Sequence, residues 1–451
     1  MFKINYFGAK KIGFQRYLLV FALAAACFVG RAQSSVDLKC CIETALKNNF
    51  SLKIIRNDEE ISRNNYTRGN AGYLPTVGAS GGYSGSLRNT VSENFDHVRT
   101  SANGLAGNGL SGGINLNWNL FSGFSVSTTY EKLRELQNVG ELKTRIAVEN
   151  LVGSVIAEYY YLIQQERLAE NLKYVLSLSR ERLRITSIHY ELGSRSKLEL
   201  LQAQVDFNTD STRLVDQGQN MLSGKIRLKT LMGTLHEGYE IDTFDSVILL
   251  SGALDYNDLH TAALSNNANL LLAAKQNNIS ELDLKIIRAQ SLPYLRFNTG
   301  LEYAYNGFNK GSTRMSQNYG MTYGLTLGIN IFDGFNRKRQ INNQKIAIRS
   351  AELYVMDSEQ QLIASLLESF NSHKKNLKLL EMEKENFVTA TAHYKDASER
   401  YMLGELAGIE LREAQTNVRD AEERLLNVEY HIKLDEIMLM TLAGRIDEYI
   451  R

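Results

Sequence analysis

Two stretches of this chain are copies of one another, and each contains 68 residues without a proline. Asn336 to Leu403 runs from the turn Asp333-Gly334-Phe335 to Gly404; subtracting 211 gives a run from Ser125 to Leu192, between Phe121-Ser122-Gly123-Phe124 and Gly193. The far ends also match, as Tyr190-Glu191-Leu192-Gly193 against Tyr401-Met402-Leu403-Gly404. At ~1.5 Å per residue each run predicts a helix about 100 Å long, which no single globular core requires. The expectation is an elongated object of helices tipped with strands.

The duplication overrides the usual inference of several domains from length, because both halves share one design. The chain divides into a signal peptide at 1–32, a first repeat at 33–233, an irregular linker at 234–255, a second repeat at 256–444 and a tail at 445–451. Lys3, Lys10, Lys11 and Arg16 precede an apolar core from Tyr17 to Val29, and Gly30-Arg31-Ala32 before Gln33 supplies small residues for cleavage. A second reading of the same segment is lipid attachment at Cys27, after Leu23-Ala24-Ala25-Ala26. Beyond the signal only the adjacent Cys40 and Cys41 remain, neighbours that do not readily pair. The whole chain has 51 basic and 50 acidic residues; five basic ones fall in 1–32, leaving 46 against 50, a net of −4. That balance gives no stripe for nucleic acid. No stretch after the signal approaches 18 consecutive apolar residues, so contact with a membrane would be through strands.

Both prolines, Pro75 and Pro293, stand before pairs of alternating segments. In the second pair Leu295, Phe297, Thr299, Leu301, Tyr303 and Tyr305 alternate with Arg296, Asn298, Gly300, Glu302 and Ala304. Tyr319, Met321, Tyr323, Leu325, Leu327, Ile329 and Ile331 do the same against Gly, Thr and Asn, as do Leu110, Gly112, Ile114, Leu116, Trp118 and Leu120 in the first half. The segment after Pro75 is weaker, with Val77, Ala79 and Tyr83 among Gly and Ser. Strands of about 10 residues, apolar on one face and polar on the other, suit an outer-membrane barrel with a polar lumen. Tyrosines toward one end and Phe121 and Phe332 at the other would form interfacial girdles, with Gly-rich loops at 84–113 and 306–318. Seven extra residues in the first pair are expected in a loop tip. A soluble half-buried sheet would alternate in the same way. Four strands cannot close in hydrocarbon, so an oligomer is required: two chains give eight strands, three give twelve, and the wider barrel leaves an aqueous channel.

A helix is expected over 36–70, starting with Cys41-Ile42-Glu43-Thr44-Ala45-Leu46-Lys47-Asn48-Asn49, which matches the segment from Leu259 to Asn267. Returning helices are expected over 196–232 and 407–443, each making a hairpin with the long run before it. Apolar residues at spacings of three and four, such as Val126, Tyr130, Leu133, Val155, Tyr159 and Leu162, would pack hairpins side by side. A plain fibrous coiled coil explains these helices but not the strands.

With these elements laid out, the chain resembles the TolC-type outer-membrane efflux protein family over essentially all of the segment after the signal. The motifs are the Ala-Leu-x-Asn-Asn start of each half, Leu-Pro before each strand pair, Phe-x-Gly-Phe after each, the Tyr-x-Leu-Gly tips, and Leu200-Leu201-Gln202-Ala203-Gln204 echoed by Leu411-Arg412-Glu413-Ala414-Gln415. The resemblance implies long α-helical hairpins forming a periplasmic α-barrel, and four strands per chain contributing to a twelve-stranded outer-membrane β-barrel in a homotrimer. It implies a passive conduit for efflux or type I secretion. Its partners would be a periplasmic adaptor (membrane fusion) protein, an inner-membrane efflux pump or ABC transporter, and outer-membrane lipid.

The family narrows its tunnel near the second tip with acidic residues; by position these are Glu410 and Glu413, three apart and so on one helical face. Three copies would set six carboxylates around the axis, attracting cations and raising one another's pKa. By the same resemblance Glu199 would accept a hydrogen bond from Tyr401, while an arginine expected two positions after the second tip glycine is replaced by Leu406 and instead appears as Arg195 in the first half. Leu192, Gly193 and Ser194 with Leu403, Gly404 and Glu405 would meet the adaptor, although glycine is also the ordinary way to end a helix. Other classes fit less well. Seven scattered histidines, with no metal-binding or nucleophile motif, give no catalytic site, cofactor or metal centre. An exported adaptor would have one hairpin flanked by compact β domains, and an envelope spacer would have no use for strands with one apolar and one Gly-lined face.

Overall fold

A computed structural model describes residues 37–236, 247–250, 254–310 and 313–449. The expected signal at 1–32 with Cys27, and 237–246 and 251–253 of the expected linker, lie outside the described residues. The first repeat comprises α1 (Leu38–Asn48), α2 (Phe50–Asn65), α3 (Arg68–Ala71), β1 (Thr76–Glu93), β2 (Arg99–Ser122), α4 (Ser125–Glu191) and α5 (Lys197–Met232). The second comprises α6 (Tyr256–Asn266), α7 (Ala268–Ala289), β3 (Tyr294–Phe308), β4 (Met315–Gly328), α8 (Asn336–Met402) and α9 (Gly408–Leu442), followed by a 3-10 turn at Ile446–Tyr449. The long helices α4 and α8 are 67 residues each and sit 211 residues apart at both ends, as the sequence requires.

The expected single helix over 36–70 is instead three. Asn49 leaves the helical region (φ −57°, ψ 125°) and its side chain accepts from the Leu52 N–H at 3.0 Å. Its counterpart Asn267 (φ −61°, ψ 118°) accepts from Asn269 and Leu270 and donates to the Leu442 carbonyl. An asparagine side chain competes with the helical backbone for its own amides, so it ends one helix and caps the next. Thr67 does the same for α3.

All four strands form one antiparallel sheet in the order β1-β2-β3-β4. Its register sorts the residues into rows. Val77, Leu116, Thr299 and Tyr323 lie side by side, as do Ala79, Ile114, Leu301 and Met321, then Gly81, Gly112, Tyr303 and Tyr319. Alternate rows read Gly78, Asn115, Gly300, Thr322 and Ser80, Gly113, Glu302, Gly320. Directly opposed residues share a face, so one face is apolar and the other small and polar. The apolar face is exposed in the single chain: Tyr319, Tyr323 and Leu327 keep more than 70% of their surface. A bulge between Asn119 and Phe121 drops Leu120 from the apolar row and puts Phe121 there, opposite Leu295.

The strands are longer than the expected 10 residues, at 18, 24, 15 and 14. Most of the 84–113 segment, and 306–308 and 315–318, read as loops for their Gly, Ser and Asn, is ladder. Thr90 to Glu93 pair with Ala102 to Arg99, and the turn shrinks to 94–98. The seven extra residues therefore lengthen the ladder and not the loop. Small residues permit extended backbone where a partner strand supplies the hydrogen bonds, whatever their weak intrinsic preference.

Each strand pair enters its long helix through the same corner. Gly123 and Phe124 have φ of +62° and +67°; Gly334 and Phe335 have +68° and +64°. Phe124 stacks edge-on against Phe121 at 5.2 Å and Phe335 against Phe332 at 5.3 Å. A bulky residue with positive φ is strained, so the ring contact holds the turn at a local cost.

Contacts divide the chain into two units. One, with 37–47, Val155–Leu250 and Leu380–Tyr430, has a helical core of Val155, Ile156, Tyr159, Leu162, Ile163, Leu228, Leu426 and others, all under 2% exposed. A Cβ on Gly224 would stand 2.5 Å from Leu162, which marks the close approach of α5 to α4. The other, with Asn48–Ser154, Ser251–Leu379 and 431–449, holds the sheet and a core of Leu259, Ala262, Ala263, Leu362, Leu366, Leu439 and Ala443. One window of α4 is long and apolar enough by composition to cross a membrane, and 44% of it is buried inside the chain.

Candidate functional site

The hairpin tips gather most of the residues singled out from the sequence. Helix α4 ends as Gly193 takes φ +75°, with its N–H on the Tyr190 carbonyl and the Ser194 N–H on His189. Helix α8 ends identically: Gly404 at φ +79°, Gly404 N–H on Tyr401 and Glu405 N–H on Arg400. Nothing lies within 4 Å of a Cβ on either glycine, so glycine is there for its left-handed backbone alone. Leu192 and Leu403, each 74% exposed, form an apolar rim with Leu198 and Ile409. Gly193, Ser194, Gly404 and Glu405 are likewise exposed.

Both returning helices begin with a carboxylate reaching back. The Ser196 hydroxyl accepts from the Glu199 N–H and donates to Glu199 Oε1, both at 3.3 Å, so the cap serine and the glutamate three residues on bond one another. In the second half Ala407 stands where Ser196 does, and its N–H donates to Glu410 Oε2 at 3.1 Å. Glu410 thus caps α9 and keeps its other oxygen free for solvent. Glu410 and Glu413 are both exposed and share a face of α9.

The expected direct bond from Tyr401 to Glu199 does not form within the chain. Tyr401 is buried and its hydroxyl meets Thr186 Oγ1 at 3.1 Å. Arg195 stands between the two residues: its guanidinium lies 4.8 Å from the centre of the Tyr401 ring and donates to Glu199 Oε2 at 2.8 Å. Tyr401, Arg195 and Glu199 lie together, with the arginine as the bridge. Its planar cation can satisfy a carboxylate at its edge and an aromatic ring on its face together. The Arg195 bond, then Ser196, holds the Glu199 carboxyl below its ordinary range.

Behind this cluster lies an ionic network that the sequence reading missed. Asp210 of α5 receives two hydrogen bonds from Arg412 of α9, at 2.6 and 2.8 Å, and one from Ser179 of α4. One turn earlier Asp206 pairs with Arg182 of α4, and Gln202 donates to its other oxygen at 3.1 Å. Arg182 also donates to the Gly408 carbonyl, and Arg412 Nε lies 3.9 Å from Asp206. Asp210 is 1% exposed and the Arg182 side chain 4%. Two arginines and two aspartates thus tie α4, α5 and α9 together, and the pairing holds Arg412 protonated above its ordinary range. The signal was present in the spacing. Ala203, Asp206, Asp210 and Gln217 are buried on one face of α5, and Val175, Ser179, Arg182 and Thr186 on one face of α4. Acids at buried seam positions demand buried cations opposite.

Residues of both clusters line a cleft of about 920 Å³ at the tips, Tyr401, Arg195 and Glu199 from the first and Arg182, Asp206 and Arg412 from the second.

Comparison with known proteins gives consistent results. A family model described as "Outer membrane efflux protein" matches residues 41–234 and 259–445, both halves of the duplication. The chain is 19% identical over 373 residues to "Outer membrane protein TolC" of Escherichia coli (strain K12), covering 77% of this chain and 72% of that one. Among solved structures it is similar to the Campylobacter jejuni CmeC outer membrane channel, with TM-score 0.75, 17% identity and coverage of 90% of this chain and 85% of that one. It is similar as well to the outer membrane protein VceC of Vibrio cholerae, with TM-score 0.73, 15% identity and coverage of 90% and 96%.

Proposed function

We propose a mechanism from one premise: the chain belongs to the outer membrane efflux protein family. It is an outer-membrane efflux channel of the Gram-negative envelope, extending into the periplasm. Our reading of how it works begins with the sheet. β1 and β4 are edges, and an apolar face with open edges leaves backbone groups unpaired in hydrocarbon. Edge-to-edge closure by three copies supplies twelve strands, lipid against the tyrosine and leucine rows and water against the Gly, Asn, Ser and Thr rows. That row pattern is the observation that carries the proposal.

The conduit is passive and performs no reaction of its own. The tips Leu192, Gly193, Ser194, Leu403, Gly404 and Glu405 meet a periplasmic adaptor, which joins the channel to an inner-membrane pump or ABC transporter. Three copies of Glu410 and Glu413 form a cation-attracting aperture, and Tyr401, Arg195 and Glu199 hold the tips closed. The exposure of both glutamates and the ionic packing behind them support this division between gate and frame.

Current through single channels in a planar bilayer tests the reading, comparing the wild type with a Glu410→Ala, Glu413→Ala double variant. Cation selectivity that disappears in the variant is the expected result. Selectivity unchanged by the substitutions removes the aperture assignment, and the absence of channels from a folded oligomer removes the conduit.

A further inference from the structure

We propose that the corner joining β4 to α8 binds the phosphate of an anionic phospholipid in the periplasm-facing leaflet, and that the copy of this corner in the first repeat does not. The inference rests on the outer-membrane placement of the sheet and otherwise on the residues of the corner. Helix α8 opens with Arg337, Lys338 and Arg339, and no acid follows until Glu352. Cations in a first turn are opposed by the helix dipole, so this run costs stability unless an anion answers it. Asp333 answers only part. It accepts from the Arg337 N–H at 2.8 Å, while the Arg337 guanidinium stands 3.8 Å away with Nε and Nη1 buried and without a hydrogen bond. Lys338 and Arg339 are exposed and have no carboxylate partner among the described residues.

The apolar neighbours point to a lipid and not to a free ion. Ile331 is 91% exposed, and the edge-to-face rings of Phe332 and Phe335 are 69% and 70% exposed. They lie where the apolar face of β4 runs out at Gly328, the depth at which aromatic side chains meet headgroups and cations meet phosphates. The duplication provides an internal control. The first corner keeps the same backbone and the same ring pair, but Val126, Ser127 and Thr128 replace the three cations. Backbone and rings are therefore sufficient for the turn, and the cations serve something else.

The test counts phosphatidylglycerol bound to the delipidated full chain in detergent, by native mass spectrometry over a lipid titration, with phosphatidylcholine and inorganic phosphate as separate arms. Each cation lost at an anionic surface weakens binding by a factor of about five, so Lys338→Gln with Arg339→Gln should lower phosphatidylglycerol affinity roughly thirtyfold. Lys338→Arg with Arg339→Lys should keep it. Placing Ser127→Lys with Thr128→Arg at the first corner should add a second bound lipid per chain. Equal binding of phosphatidylcholine, or full phosphatidylglycerol binding by the folded glutamine variant, overturns the proposal. So does inorganic phosphate that displaces the lipid at equal concentration, since the site then takes any phosphate.

Discussion

Replacing Asp210 by alanine is the sharpest test of how the tip is held. The change strips Arg412 of both its short bonds and Ser179 of its acceptor, leaving a guanidinium whose side chain is only 16% exposed. Removing one partner of a buried ion pair costs about 3–5 kcal/mol, because the remaining charge stays desolvated. Arg412 Nε is 3.9 Å from Asp206 and can move toward it, so the lower end applies, about 3 kcal/mol. That cost falls on local opening and not on the sheet, so hydrogen exchange is the assay of choice. At 1.36 kcal/mol per factor of ten, tip amides of α4, α5 and α9 should exchange about a hundredfold faster, with the strand amides unchanged. Adding Arg412→Met to Asp210→Leu removes both charges and should restore most of the protection. Exchange within about threefold of wild type in the single variant, or no recovery in the double, refutes the claim that this network clamps the tip.

Other outcomes follow from the same geometry. A Cβ on Gly123 would meet the Ala289 carbonyl oxygen at 2.3 Å, whereas on Gly334 the nearest atom is 3.7 Å away. Both positions have positive φ, so Gly334→Ala should cost about 1–2 kcal/mol and Gly123→Ala clearly more, read as loss of heat-stable protein. Asn49→Ala and Asn267→Ala should each cost about 1 kcal/mol through the lost cap, measured by exchange in the following helix. The Glu199 carboxyl has a folded pKa below its ordinary 4.5. Its pairing with Arg195 therefore contributes fully above that value and is lost as pH falls through the lowered folded value. Channel opening should rise in that acid window below 4.5, and Glu199→Gln should remove the step; an identical acid response in the variant rules it out.

The helices and the repeat were legible almost to the residue, because proline exclusion and glycine stops depend on local backbone chemistry. Helix α8 was expected from Asn336 to Leu403 and spans Asn336–Met402. The strands were legible in facing but not in length. Residues such as Ser84, Gly85 and Ser86 carry no strand preference, and they are extended only because Gly109, Asn108 and Gly107 pair with them. The break at Asn49 escaped because an asparagine inside an apolar period reads as one exposed helical residue. At the tip, resemblance placed Tyr401, Arg195 and Glu199 together but not their order, since which pair touches depends on side-chain reach. Asp206, Asp210, Arg182 and Arg412 escaped because a charge on a helix is usually solvated, and only packing showed them inside.

The equal 67-residue span of α4 and α8 restricts how such a chain can change in length. One residue added within α4 would advance the rest of that helix by about 1.5 Å and rotate it by about 100° against the helices packed on it. Arg182 would then swing off Asp206, Ser179 off Asp210 and Thr186 off Tyr401 in a single step. The strand hairpin bears no such penalty, since residues added to both of its arms extend a ladder whose end is free, and that is where the first repeat carries its surplus. Insertions and deletions accepted by this architecture should therefore collect at the far ends of the strands, while the coils behave as a fixed gauge in which only compensated changes, close to whole heptads, preserve the seam.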